Sequence, residues 1–240
     1  MRTRTAFLAL ALLGPGVALG QSMEEVVVTG MRAESSAIPG TSLKRPGDFI
    51  LLMVQVSNDS RDSKTRKDEI EATLRAMLAA AAKDKSIELS VIGDNNLVLP
   101  LKLDSATLKL VGGKRPDTSE TTISVKTRIP QTVGNSSALV AKLKDFAGSI
   151  KPVGRTIIDD DGDFEISIVN PAQYRDRVIE LFGADVKKVT AALGTDYKVV
   201  ARGIDAPIQW VKDGMLEVTI FVPYSYDVLP ASVTSYSVSE

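Results

Sequence analysis

An α+β fold with mostly antiparallel sheets and about three helices is what this sequence predicts. Three stretches place apolar residues at helical spacing: 64–83, 137–150 and 171–193. Between them lie clusters of several short alternating or β-branched runs rather than single strands, a pattern that disfavours a doubly wound parallel sheet. After residue 48 no Pro- or Ser-rich linker is long enough to separate a pair of domains.

Taken in order, Glu24-Glu25-Val26-Val27-Val28-Thr29-Gly30 reads as a short strand ended by glycine. Residues 31–47, rich in Ser, Pro and Gly, read as a loop, and Phe49 to Val56 as a buried strand. In the first helix Ile70, Leu74, Met77, Leu78 and Ala81 share one face. Ile87 to Ile92 alternates as a half-buried strand does. Leu97 to Leu103 and Ala106 to Val111 are expected to form a meander, and Thr121 to Ile129 a further strand. The second helix carries Val140, Leu143, Ala147 and Ile150 on one side. Arg155 to Ile158 and Phe164 to Val169 are expected to form a hairpin around Asp159-Asp160-Asp161-Gly162-Asp163. Asn170 is placed to cap the third helix, with Pro171 in its first turn and Gly194 as its stop. Its stripe is Val178, Leu181, Phe182, Val186, Val189 and Leu193. Tyr197 to Ala201, Ile208 to Val211 and Leu216 to Tyr224 complete the strands, and the Ser-rich residues 231–240 read as a frayed tail.

The composition excludes much chemistry. The 240-residue chain contains no histidine and no cysteine. That removes thiol nucleophiles, imidazole bases, disulfides and the common zinc sites. Basic and acidic side chains number 29 and 30, a balance that does not suit a nucleic-acid binder.

The first twenty residues read as a secretory signal peptide. Arg2 and Arg4 precede the apolar run Ala6 to Leu13, and Ala18-Leu19-Gly20 places small residues before Gln21. The run is broken by Gly14-Pro15-Gly16 and is too short to cross a bilayer about 30 Å thick. Cleavage after Gly20 removes two basic residues and no acidic ones, which leaves a net charge of −3. A Gram-negative periplasm is the expected destination.

The remaining candidate sites have plainer explanations. The acidic run Asp159 to Asp163 offers oxygen ligands for calcium, but it lacks the alternate acidic positions and late glutamate of an EF-hand, and an Asp-Gly turn accounts for the same residues. Gly112-Gly113-Lys114 lacks the rest of a phosphate loop. Ser149 and Lys151 are near in sequence without being a dyad. Arg202 and Asp205 suit a surface pair, and Trp210 suits a core or edge aromatic. No catalytic, cofactor or metal residues are assigned, and no cofactor is expected.

Two resemblances add to this reading. Gly47-Asp48-Phe49 with the strand beyond it, the long first helix, Ala184-Asp185-Val186-Lys187-Lys188-Val189-Thr190-Ala191-Ala192-Leu193-Gly194 and the closing run Leu216 to Tyr224 resemble the SIMPL domain family of exported bacterial proteins. Val26-Val27-Val28-Thr29-Gly30 resembles the end of that family's first strand. The likeness covers most of 24–228, except that 94–134 departs from it. It implies an α+β, envelope-associated protein, often oligomeric, with no catalytic residues to carry over. Separately, Glu24 to Arg32 resembles the TonB box of TonB-dependent outer-membrane receptors, which implies β-augmentation on a partner's sheet edge. A receptor barrel itself does not fit: about 22 strands of roughly ten residues would consume the whole mature chain.

The expected organisation is thus a signal peptide at 1–20, an N-terminal strand and loop at 21–48, a SIMPL-like domain at 49–230 and a tail at 231–240. The expected function is that of a non-enzymatic periplasmic or envelope protein acting through protein contacts, with itself or another protein and without nucleic acid. The alternative is a TonB-linked accessory or receptor-like protein docking through residues 24–32, with Glu24, Glu25, Val26, Val27, Val28, Thr29 and Gly30 as partner-binding residues. No transmembrane span is expected in the mature chain.

Overall fold

The computed structural model describes residues 23–28, 38–104, 108–113, 115–132 and 136–234. The signal-peptide segment, Thr29 to Arg32 of the TonB-box-like run, and the last six residues of the tail lie outside the described residues. The structure is α+β, with three α-helices among the described residues and antiparallel pairing throughout the described sheets. Among the described residues no helix is long and apolar enough to cross a membrane.

The centre of the molecule is β3 (Phe49–Asn58), whose first six residues are apolar or β-branched. Such a run suits a strand covered on both faces. β3 lies between β7 (Ser119–Arg128) and β8 (Thr156–Val169), and the main sheet runs β1-β8-β3-β7-β4-β5. Here β1 is Glu25–Val28, β4 is Glu88–Ile92 and β5 is Val98–Pro100. β6 (Val111–Gly112) adds to the far end of β7. A bridge between Val26 and Leu97 joins the two ends of the strand order, so the sheet curls into a nearly closed barrel.

The convex face carries Ile50, Leu52, Val54, Val56, Ile123, Val125, Ile166 and Ile168, all fully or almost fully buried. It packs on α1 (Ser63–Ala81) through Ile70, Leu74 and Met77, and on α2 (Ser136–Ser149) through Leu143 and Ala147. α1 starts where Asp62 caps it: the Asp62 carboxylate accepts from the Thr65 N–H at 2.7 Å. The concave face holds a smaller apolar cluster of Val27, Phe49, Leu51 and Val98.

β2 (Leu43–Pro46) lies inside the segment expected to be a loop. It pairs with β11 (Glu217–Phe221), which also pairs with β10 (Gln209–Lys212). Gly47 carries the chain from this small sheet into β3, and a Cβ there would sit 2.0 Å from the Ile166 side chain. Only glycine fits that passage without displacing a core residue. β1 and β2, which the sequence sets apart from residues 49–230, both pair with strands from inside that span.

Two expectations need correcting. The acidic run is not a hairpin tip, because β8 is one continuous strand of fourteen residues. Against β3 its register jumps from Leu52–Phe164 to Val54–Asp160, so Met53 faces Asp161, Gly162 and Asp163 together. This is a bulge, with Gly162 at φ 74° absorbing the extra chain. Asn170 does not cap a helix through its side chain. It is left-handed at φ 46° and precedes a 3₁₀ turn at Pro171–Tyr174, after which α3 runs Arg175–Leu193. A terminal ribbon pairs β9 (Tyr197–Arg202) with β12 (Ser225–Pro230).

Candidate functional site

The partner-binding candidates fall at the seam of the barrel. Glu25, Val26, Val27 and Val28 pair with Val169, Ile168, Ser167 and Ile166 of β8, and the Asn170 N–H donates to the Glu24 carbonyl at 2.6 Å. Bonded and non-bonded pairs alternate in an antiparallel ladder. Val26–Ile168 and Val28–Ile166 are therefore bonded pairs, whereas the Val27 N–H points to the seam. The three valines are at most 4% exposed. Val28 joins the convex core, and Val27 the concave cluster.

Alternation along β1 turns Glu25 to the same face as Val27, and the strands beside it bring polar partners. The Ser167 hydroxyl donates to Glu25 Oε1 at 2.6 Å, and the Lys126 ammonium pairs with Glu25 Oε2. Lys126 also lies 3.3 Å from the Glu88 carboxylate and 4.2 Å from the centre of the Phe49 ring. Its side chain is 7% exposed. Deeper along this face the Ser90 and Ser124 hydroxyls share a hydrogen bond of 2.7 Å. Among the described residues no buried side-chain polar atom lacks a partner, so the cluster balances the cost of its own burial. Lys126, Glu88 and Ser167 escape sequence reasoning because more than sixty residues separate each from Glu25. Their trace in the sequence is a polar residue at inward positions of β1, β4, β7 and β8.

Beside this cluster, where β1 and β5 diverge, is a cavity of about 480 Å³. Leu78 and Ala82 at the end of α1, Leu89 of β4 and Leu101 just past β5 make its apolar wall, and Glu25, Glu88 and Lys126 its polar side.

A second surface lies on the terminal ribbon. The register places Tyr197, Val199 and Ala201 of β9 on the same face as Pro230, Val228 and Tyr226 of β12. None carries a charge, and Tyr197, Tyr226 and Val228 are 45%, 36% and 39% exposed. The opposite face holds Lys198, Arg202 and Asp227, with Arg202 and Asp227 ion-paired across the strands.

The other candidates stay apart. Ser149 donates to the Phe146 carbonyl at 2.8 Å, as a helix-end serine does. Arg202 pairs with Asp227 across the ribbon. Trp210 is half-buried against the core. On the bulge Asp159, Asp161 and Asp163 are exposed, and Asp160 pairs with Lys144 at 3.3 Å. Among the described residues no three acidic side chains form a metal-holding group. The chain matches no family model, no curated protein and no solved structure.

Proposed function

We propose that this chain is an exported, non-enzymatic periplasmic or envelope protein of SIMPL-like type that acts through protein–protein contacts. The observation that carries the reading is the uncharged, exposed face of the β9–β12 ribbon. Protein-contact patches concentrate aromatic and apolar side chains and shed charge at their centre. The α+β architecture agrees with what the SIMPL resemblance implies. On the concave face Glu25, Lys126 and Ser167 are engaged with one another, which suits a structural role for them.

Two measurements test the reading. N-terminal sequencing of protein recovered from the periplasm gives Gln21 as the first residue; an intact Met1 on folded cytosolic protein defeats the export reading. A photo-crosslinking side chain at Tyr226 gives a discrete protein adduct in cells, whereas one at Arg177 on the exposed side of α3 does not. Equal labelling at both positions, or none at Tyr226, defeats the contact reading.

A second reading, docking to TonB through residues 24–32, draws on one observation. β1 ends the strand order, and its outer side makes a single bridge, Val26–Leu97. Release of that bridge would open this side of the backbone to an added strand.

A further inference from the structure

The seam cavity holds a carboxylate that the fold engages through a single contact. Two carboxylates, Glu25 and Glu88, face one ammonium, Lys126. Both Glu25 oxygens are engaged, one by Ser167 and the other by Lys126. Glu88 has only the 3.3 Å contact with Lys126, and its side chain is 52% exposed. Arg128 stacks on the Phe49 ring outside the cavity, so among the charged groups that line it the surplus negative charge sits on Glu88. The same cavity is lined by the apolar side chains of Leu78, Ala82, Leu89 and Leu101. An apolar wall beside a few placed polar groups is the usual make-up of a small-ligand site; this cleft is open on one side, and its 480 Å³ lies within the usual range of about 300–1,000 Å³.

We propose that this cavity binds a small cationic amphiphile, a primary ammonium on a short hydrocarbon chain. The ammonium sits on Glu88, where it completes an alternation of two carboxylates with two cations. The hydrocarbon covers Leu78, Ala82 and Leu89. An anionic amphiphile meets the surplus carboxylate instead, beside a lysine that is already paired twice. A neutral alcohol fills the apolar wall and leaves Glu88 unmatched. The site is separate from the ribbon face and does not depend on export, so it goes beyond the function proposed above.

The test is calorimetric titration of the purified protein with octylammonium chloride and octanoate, each below its micellar concentration, and with octanol below its solubility limit. Octylammonium is expected to bind saturably and at least about tenfold more tightly than octanoate, with octanol between them. Glu88→Gln, at an exposed position, lowers the octylammonium affinity about tenfold and leaves octanol binding unchanged. Ala82→Trp, also at an exposed position, fills the mouth and removes binding of both. The absence of saturable octylammonium binding overturns the proposal. Octanoate binding as tight as octylammonium overturns it too, as does an octylammonium affinity that Glu88→Gln leaves unchanged.

Discussion

At the scale of single residues, the buried charges decide most. Lys126 is held by Glu25, Glu88 and the Phe49 ring inside the curl of the sheet. Removing one partner of a buried pair strands the other charge. Lys126→Ala is therefore expected to cost about 3–5 kcal/mol in urea unfolding, and Lys126→Ala combined with Glu25→Gln to cost less than the single change. A loss below about 1 kcal/mol for Lys126→Ala, typical of an exposed pair, would show that the cluster is open to solvent. Glu69 offers a pH test at the other end of β3. Its carboxylate accepts from the Arg155 N–H at 3.0 Å, from the Asn58 amide at 2.6 Å and from the Ser60 hydroxyl at 3.0 Å. The Arg155 N–H first, and the Asn58 amide next, hold its pKa below the ordinary 4.5. A depressed carboxylate pKa adds stability that is present above the unfolded-state value and is lost as pH falls through the folded one. Stability should thus decline from pH 4.5 downwards, and Glu69→Gln should flatten that decline. Neither cluster is legible in the sequence. Lys126 and Glu69 are ordinary residues of a strand and a helix until the fold brings distant strands beside them.

At the scale of elements, α3 shows how far periodicity reaches. The helix and its apolar stripe are readable from residue spacing, yet the stripe is buried unevenly. Val178 and Phe182 are buried, Leu181, Val186 and Val189 are half-buried or more exposed, and Leu193 is 40% exposed. The reason is what lies opposite. The first half of α3 reaches the main core through Val178, whereas Leu193 in its last turn joins neither core cluster, and the ribbon strand β9 that α3 also meets has one partner only. Spacing names the inward face of a helix but not the width of the element that receives it. Phe182 contacts the Tyr224 ring edge-on at 4.4 Å, so Phe182→Ala should cost about 3–5 kcal/mol. Leu193→Ala should stay within about 0.5 kcal/mol. Equal losses in urea unfolding would mean that the last turns are covered after all. The bulge in β8 is hidden for a different reason. Asp-Gly inside alternating residues signals a turn, and only pairing with a ten-residue β3 on its flank keeps the chain running straight through it.

At the scale of the whole molecule, the question is whether the barrel needs β1. The segment has four residues but spans the seam, with β8 on one side and the Leu97 bridge on the other. Releasing it would expose three buried valines, each worth about 1.5–3 kcal/mol of burial, and would take Glu25 away from Lys126. That total exceeds what a docking strand can give up while staying ready for a partner, which favours an integral β1. Both readings of Glu24 to Gly30 are open in the sequence, because a β-branched run looks the same whether its edge partner is internal or external. The ladder geometry separates them. The Val26 and Val28 N–H groups face β8, so their amides should exchange slowly with solvent. Val26→Pro removes a ladder donor and should lower the melting temperature by several degrees, more than Val27→Pro, whose N–H faces the seam. If residues 24–28 exchange fast and Val26→Pro melts like the parent chain, β1 is a free segment. Docking to the TonB C-terminal domain, abolished by the same proline, then becomes the reading to adopt.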